Sequence, residues 1–306
     1  MAIKQVRVQI AGTWHTLSYN SSTGLYEKTI TAPNTTSYHQ PGHYYPVTVE
    51  AENTAGTKTT VNDQTPGIGD SLKLYVKERV KPTITITSPG AGAYVTNARH
   101  PIVFQLRDEA GGSGIDISSL VLKIDGGASI GHNSSGMVCT PVTNGYDCTY
   151  TPPSALSEGP HTVTIDVSDN DGNAADQASR TYTVDTVPPV LNVTHPEDGF
   201  ITNNASMVVQ GTTNDATSTP VTITITLNGV DQGPVTVTNG AFSKTVTLAE
   251  GDNTIVVTAT DAAGKTTTVT IEGVLDTSAP EIVSVTIEPN PVDAGATMIV
   301  KVTVTG

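Results

Sequence analysis

The sequence predicts an all-β protein made of several small domains, and three observations support this prediction. The 306 residues include 51 Thr and 35 Val, which are β-branched and favour strands. They also include 28 Gly and 19 Pro, which favour turns. Apolar residues alternate with polar ones over strand-length stretches, and no run exceeds three consecutive residues of the set AVILMFWYC. This pattern excludes a membrane-spanning helix and the apolar part of a secretion signal.

The charge balance limits the classes of partner. The chain has 15 Lys plus Arg against 29 Asp plus Glu, so its formal net charge is -14. A nucleic-acid-binding surface needs clustered basic residues, and we therefore expect no nucleic-acid binding. The lack of a long apolar run likewise predicts no membrane insertion.

A hairpin pattern occurs three times, in stretches that begin at Val49, Ile165 and Val257. In each stretch an alternating segment leads to an Asn or Asp and, three residues later, to a glycine: Asn53 and Gly56, Asp169 and Gly172, Asp261 and Gly264. An Asx side chain can bond to the turn backbone, and glycine tolerates the left-handed conformation of a turn. Each stretch is therefore interpreted as a strand, a turn and a strand.

Proline-led segments mark where the domains begin. KPTITITSP starts at Lys81, PPVLNVTHP at Pro188 and APEIVSVTIEP at Ala279. Proline at a strand entrance removes a backbone donor and fixes φ, which suits a short, stiff junction. The predicted domains are 1–79, 80–186 and 187–276, followed by a partial unit at 277–306.

Several of these segments resemble bacterial immunoglobulin-like repeats. The resemblance is carried by QLRDEAGGSGIDISSLVLKID at 105–125, by YTPPSALSEGPHTVTIDVSDNDGN at 150–173 and, for a sibling repeat type, by residues 224–265. It covers essentially the whole chain and is least specific before residue 80. The resemblance implies tandem immunoglobulin-like β-sandwiches in an elongated rod, which is a fold and not a chemistry.

The last thirty residues supply only two predicted strands, around 281–288 and 297–305, too few for an independent sandwich. Either the native protein continues, or these strands pair with another domain or chain, because an isolated ribbon leaves backbone donors and acceptors open along both edges. The candidate subunit-pairing residues are Val283, Val285, Ile287, Ile299, Val300 and Val302.

Cys139 and Cys148 flank a hairpin that turns near Asn144-Gly145. A two-residue Asn-Gly loop would place Cys139 opposite Tyr150, whereas a four-residue loop would place the two cysteines face to face. The sequence therefore leaves two interpretations open, which are a disulfide formed outside the reducing cytosol and a pair of half-buried thiols.

Acidic turn residues are weak candidates for a Ca²⁺ site, because carboxylate oxygens are the ligands that this ion prefers. The candidates are Asp108, Glu109, Asp169 and Asp171. Each junction also carries one carboxylate, at Glu78, Asp185 or Asp276. Since Asx residues are common in turns and no EF-hand spacing is present, a turn role is the main expectation, and no cofactor is assigned.

Aromatic residues are concentrated in the predicted N-terminal domain, which contains seven of the fourteen. Exposed rings interleaved with histidines would suit a sugar or protein contact surface, while buried rings would simply pack on the sheet. The candidate contact residues are Trp14, Tyr38, His43, Tyr44 and Tyr45.

No segment carries a nucleophile elbow, a zincin helix or a phosphate loop, so no catalytic residue is assigned and the protein is expected not to be an enzyme.

The domain order also resembles that of proteins in phage and prophage tail regions of Gram-positive bacteria. This resemblance implies a structural or adhesive virion component that contacts other virion proteins, copies of itself and host-surface glycans. The alternative is a fragment of a cell-surface adhesin or an accessory region of an extracellular enzyme.

Overall fold

The computed structural model describes residues 2–306, and within them the regular structure is β-strand apart from two short 3₁₀ helices, Pro41–His43 and Gly69–Leu72. The all-β prediction is confirmed. Among these residues no helix has the length and apolar character needed to cross a membrane. The chain divides into two compact units, Met1–Val184 and Asp185–Gly306.

The N-terminal domain contains six strands in a single antiparallel sheet. The strands are β1 (Ile3–Ile10), β2 (Thr13–Asn20), β3 (Leu25–Glu27), β4 (Tyr45–Asn53), β5 (Lys58–Val61) and β6 (Lys73–Leu74). The sheet order is β3-β2-β1-β4-β5, and β6 pairs with the start of β4. The sequence predicted a two-layer sandwich here, but the described part of this domain has one layer of strands.

The physical reason lies in the patterning of this domain. Val6, Val8 and Ile10 alternate along β1 and pair with apolar residues of β4, which gives the sheet one apolar face. Residues 28–44 lack such alternation and form coil, turns and the 3₁₀ helix Pro41–His43 instead of strands. Only two large apolar side chains of this domain, Val8 and Tyr45, are buried among the described residues.

The second domain is a β-sandwich of eight strands. They are β7 (Thr83–Ser88), β8 (Ala93–Val95), β9 (Ile102–Arg107), β10 (Ile115–Ile124), β11 (Met137–Val142), β12 (Gly145–Tyr150), β13 (Gly159–Asp169) and β14 (Ala178–Val184). The two sheets have the orders β11-β12-β9-β7 and β10-β13-β14-β8, and β8 runs parallel to β14.

The third domain repeats this topology in the second unit. Its strands are β15 (Val190–His195), β16 (Phe200–Thr202), β17 (Ser206–Asn214), β18 (Thr222–Leu227), β19 (Val230–Asp231), β20 (Val237–Thr238), β21 (Ala241–Thr247), β22 (Gly251–Thr260) and β23 (Thr266–Leu275). The sheets are β15-β17-β21-β20 and β16-β23-β22-β18-β19, and β16 runs parallel to the last strand, β23.

Each sandwich has its own apolar core, formed by the inward positions of alternating strands. In the second domain Ile102, Phe104 and Leu106 alternate along β9 and are fully buried. In the third domain Ile255 and Val257 alternate along β22 and are fully buried as well. Packing of each core holds its strands in place, and the polar clusters described below lie at the ends of some of these strands.

The three repeated hairpins are formed by β4 and β5, β13 and β14, and β22 and β23. Their glycines have positive φ angles of 82°, 93° and 83° at Gly56, Gly172 and Gly264. A final two-stranded sheet, β24 (Glu281–Glu288) and β25 (Ile299–Thr305), ends the described chain.

Candidate metal centres

Strand register brings three acidic residues together at the entrance of each sandwich. In the second domain β9 ends opposite the first residue of β7, because Arg107 pairs with Thr83. Asp108, which follows β9, therefore lies beside the segment that leads into the domain, and that segment carries Glu78. Asp169 ends β13, and carboxylate oxygens of Glu78, Asp108 and Asp169 lie within 4.8 Å of one another. We call these three residues the first-unit cluster.

The third domain builds the same arrangement from corresponding positions. Asn214 at the end of β17 pairs with Val190, the first residue of β15. Asp215 follows β17, Asp261 follows β22 and Asp185 lies in the segment that leads into the domain. Their carboxylate oxygens are also within 4.8 Å of one another, and we call these residues the second-unit cluster.

Hydrogen bonds in the first-unit cluster come from neutral donors. Asp108 Oδ2 accepts the backbone N–H of Gly114 at 2.6 Å, and Glu78 Oε1 accepts the Ser113 hydroxyl at 3.1 Å. Asp169 Oδ1 accepts the backbone N–H of Asn173 at 2.8 Å. The opposite oxygen of Asp108, Oδ1, is buried without a hydrogen-bond partner.

Burial also raises the pKa of acidic groups within this cluster and beside it. Burial is the main cause that raises the pKa of Glu109 to about 7, and the adjacent carboxyl of Asp108 adds to this shift. Burial is also the main cause that raises the pKa of Glu78, and the carboxyl of Asp169 adds to that shift. Both shifts have the sign expected when carboxylates are crowded and partly removed from water.

The second-unit cluster is more deeply buried. Asp185, Asp215 and Asp261 expose 0%, 8% and 5% of their surface. Asp215 Oδ1 accepts backbone N–H groups of Thr217 at 2.7 Å and Ser218 at 2.6 Å. The Ser218 hydroxyl donates to Asp185 Oδ2.

Asp261 uses only one of its carboxylate oxygens for hydrogen bonding. Its Oδ1 accepts the N–H of Lys265 at 2.8 Å. Its Oδ2 is buried and has no hydrogen-bond partner. The turn after β22 therefore accounts for one oxygen of this carboxylate and leaves the other available for a ligand.

Part of these clusters could be predicted from the sequence. The predicted candidates Asp108 and Asp169 both belong to the first-unit cluster, whereas Asp215 was not predicted. Glu109 lies beside the cluster, with Oε2 buried and without a hydrogen-bond partner. The missed signal is a repeated interval, because Glu78 precedes Asp108, and Asp185 precedes Asp215, by the same thirty positions (108 − 78 and 215 − 185).

Asp171, another predicted candidate, lies outside both clusters and contacts the N-terminal domain instead. Its Oδ2 accepts the Thr36 hydroxyl at 2.5 Å and the backbone N–H of Glu78 at 3.0 Å. Its backbone carbonyl accepts the Lys77 ammonium at 3.0 Å. Asp171 therefore fixes the segment that carries Glu78, which positions that residue in the first-unit cluster.

Cys139 and Cys148 form a disulfide in the structure, with a Cα–Cα distance of 4.1 Å. They are directly opposite each other in the register of β11 and β12. This is the face-to-face register that was expected for a four-residue loop from Val142 to Gly145. The first and last of these four residues also pair with each other, so the turn itself contains only Thr143 and Asn144. The positive φ of 57° at Asn144 explains how this turn is accommodated.

The candidate contact residues of the N-terminal domain make local contacts with their neighbours. Trp14 lies on the polar face of the N-terminal sheet, where the Arg7 guanidinium is 4.2 Å from its ring centroid. The rings of Tyr38 and His43 stack at 4.7 Å. Tyr44, partly buried, is 6.0 Å from the Tyr75 ring.

Tyr45 requires a correction, because its ring is buried and cannot form part of an exposed contact surface. It exposes 6% of its surface, and its hydroxyl is 2.7 Å from the Thr35 hydroxyl. Tyr45 begins β4 on the same face as Val47, which faces Ile10, so alternation directs it to the apolar side of the sheet.

The C-terminal ribbon exposes the residues predicted to pair with another subunit. Val285 faces Val302 and Ile287 faces Val300 across the two strands, so one face of the ribbon is apolar. The exposed candidates include Val283 at 55%, Val285 at 54%, Ile287 at 40%, Ile299 at 60%, Val300 at 51% and Val302 at 51%. Residues 281–305 make no buried core of their own.

Two protein families match parts of the chain. Residues 82–165 match the family described as Bacterial Ig domain, and residues 189–277 match the family described as Glucodextranase, domain B. The protein is thus a tandem immunoglobulin-like protein, as the resemblance in the sequence implied.

Individual relatives cover different shares of the chain. Bacillopeptidase F of Bacillus subtilis (strain 168) is 33% identical over 113 residues, which are 37% of this chain and 7% of the relative. The chain therefore spans a small fraction of the length of this relative.

Solved structures with a similar fold include the titin I-band fragment I67–I69, with 13% identity and a TM-score of 0.43 over 90% of this chain and 88% of that one. The fibronectin(III)-like modules of Clostridium thermocellum CbhA have 15% identity and a TM-score of 0.38 over 63% of this chain and 94% of theirs. At these identities the similarity concerns the fold alone.

Proposed function

We propose that this chain is a non-catalytic spacer and contact segment of an extracellular bacterial protein. The observation that supports this proposal most directly is the repetition of one sandwich topology in consecutive domains, the first of which matches a bacterial Ig domain. Tandem domains of this kind present long surfaces without a concave, polar active site, which suits structural and adhesive roles.

Two further observations support a place outside the cytosol. The disulfide between Cys139 and Cys148 is of a type that persists in oxidising environments. The relative that shares 33% identity is named as a peptidase, Bacillopeptidase F, and the chain resembles only a small part of it. We therefore place the chain at the bacterial surface or in the medium, as a region that accompanies other functional parts.

Fractionation of the producing bacterium tests this location. Antibodies against the full chain should detect it in the wall or medium fraction, and thiol alkylation without reductant should leave both cysteines unmodified. Detection in the cytosol alone, with two reactive thiols, would contradict the proposal.

The adhesive role is assigned to the N-terminal domain, since it carries exposed rings that suit weak, multivalent contacts with surface glycans. Binding of the full chain to purified wall polysaccharide should fall several-fold when the exposed Trp14 is changed to Ala. Tyr94→Ala is the matched control, because Tyr94 is an equally exposed ring (38% against 37%) in the second domain. If both variants bind the polysaccharide as well as the parent chain does, Trp14 is not part of the contact. If the chain hydrolyses the polysaccharide and this activity persists after repurification, the non-catalytic assignment is wrong.

A virion component is the second candidate, and it is favoured by the resemblance of the domain order to phage tail-region proteins. In that case the edges of the β24-β25 sheet would pair with strands of other virion proteins or of other copies of the chain, and its exposed apolar face would pack against them. Mass spectrometry of purified particles tests this candidate, and absence of the chain from particles would eliminate it.

A further inference from the structure

The second-unit cluster concentrates negative charge where water is excluded. Asp185, Asp215 and Asp261 expose 8% of their surface or less, and their oxygens lie within 4.8 Å of one another. Within residues 2–306 no ion pair involves any of the three, so neutral N–H and O–H donors are their protein partners. Three like charges that are buried together destabilise the folded state unless a cation compensates them or protons neutralise them.

An orphaned oxygen in each cluster points to a missing ligand. Asp261 Oδ2 in the second unit and Asp108 Oδ1 in the first are buried without hydrogen-bond partners. Both residues are more than nine-tenths buried, at 5% and 7% exposure. Asp108 and Asp261 follow different strands of their sandwiches, so each cluster has its unpaired oxygen on a different member. Buried polar atoms are almost always paired, and one unpaired carboxylate oxygen in each of the two clusters therefore indicates a shared function.

The N-terminal domain supplies an internal comparison for the turn. Asn53 ends β4 at the position that corresponds to Asp169 and Asp261, and its Oδ1 accepts the N–H of Thr57 at 3.0 Å. In Asp261 the equivalent bond goes to the N–H of Lys265, also four residues further along the chain. Since a neutral amide forms the same turn, the turn itself does not require the carboxylate charge at Asp169 or Asp261.

We propose that each of the two clusters binds one calcium ion through its three carboxylates. All the side-chain donors are hard oxygens, with no His or Cys among them, which excludes the usual ligand sets of zinc and copper. Oxygens that lie within 4.8 Å of one another are close enough to share one ion, because calcium–oxygen bonds are about 2.4 Å long. Magnesium prefers to keep several waters and suits such a buried set less well.

Calcium at the first-unit cluster would also order the connection to the N-terminal domain. Glu78 lies in that connection, and its backbone carbonyl accepts the Asn173 side-chain amide at 3.2 Å. An ion held by Glu78, Asp108 and Asp169 would join this connection to the ends of β9 and β13. Domain order in the first unit then depends on calcium.

Calorimetric titration of the full chain, freed of metal with EDTA, tests the proposal. Calcium is titrated to about 10 mM, which covers the range of extracellular calcium modules. Two ions per chain are expected, falling to one in Asp261→Asn and to one in Asp169→Asn. The matched control is Asp231→Asn, since Asp231 is an exposed aspartate at the end of β19 whose Oδ1 accepts the N–H of Gly233 at 3.0 Å.

Thermal unfolding of the same variants separates ligand binding from a structural role. A hundredfold excess of calcium over Kd should raise the unfolding temperature of the parent domain by about 10 °C or more. Without metal, Asp261→Asn should equal or exceed the parent chain in stability, because it removes one of three crowded charges. With calcium the order should reverse.

Several outcomes would overturn the inference. The first is that calcium neither binds to the parent chain nor raises its unfolding temperature. The second is that Asp261→Asn and Asp169→Asn still bind two calcium ions per chain, or that Asp231→Asn loses one as they do. The third is that magnesium binds and stabilises the parent chain as well as calcium does. Lower stability of Asp261→Asn with and without metal would likewise assign Asp261 to the turn alone. None of these outcomes bears on the location or adhesive role of the chain, which are tested separately above.

Discussion

Removing the disulfide should destabilise the first unit while leaving the second unchanged. The bond joins Cys139 and Cys148 at a sequence separation of nine. A closed loop of about 10 residues restricts the unfolded chain by roughly 9 cal/mol/K in the loop-entropy relation, or about 2.7 kcal/mol at 25 °C. With a urea m-value of about 2 kcal/mol/M, the midpoint should fall by about 1.3 M.

Urea unfolding of the parent chain, with and without dithiothreitol, and of Cys139→Ala/Cys148→Ala measures this effect. The third domain contains no cysteine, so its transition serves as the control within the same molecule. Reductant should shift only the first-unit transition and should have no effect on the double variant. If reductant leaves the parent midpoint unchanged, or if thiol titration finds two free cysteines in the secreted chain, the reasoning fails.

Three further perturbations address single interactions in the second domain. Both partners of the buried His161 ring are acceptors, the Asp125 carboxylate and a backbone carbonyl; although burial lowers the pKa of His161, these bonds outweigh it and raise that pKa. The raised pKa stabilises the fold below about pH 6.5, and this contribution is lost as the pH increases. The urea midpoint of the parent chain should therefore fall between pH 6 and pH 8. In Asp125→Asn the midpoint should fall much less, and Asn suits the positive φ of 52° at this position. Leu122→Ala empties a fully buried site and should cost about 2–5 kcal/mol in urea unfolding. Gly136→Ala should cost about 1–3 kcal/mol in the same assay, because φ is 85° and the new Cβ would overlap the Thr151 carbonyl; a smaller loss would mean that the turn relaxes.

The sandwich domains could be predicted because their local signals agree with one another. Ile102, Phe104 and Leu106 alternate on a strand whose ends are marked by proline before and by Asp-Glu after. The hairpin glycines give the turn positions independently of this alternation. When periodicity, turn chemistry and repeat spacing indicate the same element, the sequence specifies it strongly.

The N-terminal domain shows where such reasoning is insufficient. Its hairpin around Asn53 follows the repeat, and the strands it predicts are present. The number of layers, however, depends on residues 28–44, where Pro, Gly and polar residues break the alternation. The repeat therefore suggested a sandwich that the intervening sequence does not support, and Tyr45 was assigned to the surface because its burial depends on the same segment.

The acidic clusters illustrate a different limit, because their residues become neighbours only through topology. The second and third members of each cluster are separated by different intervals, from Asp108 to Asp169 and from Asp215 to Asp261, since the loops between the strands differ in length. A fixed-spacing motif therefore cannot detect them. Strand order restores the equivalence, as both pairs end the strands that meet at the entrance of the sandwich. Because two sandwiches with unrelated loop lengths bring together carboxylates from corresponding positions, the clusters are explained better by a bound ion than by the turns, which Asn53 forms without charge.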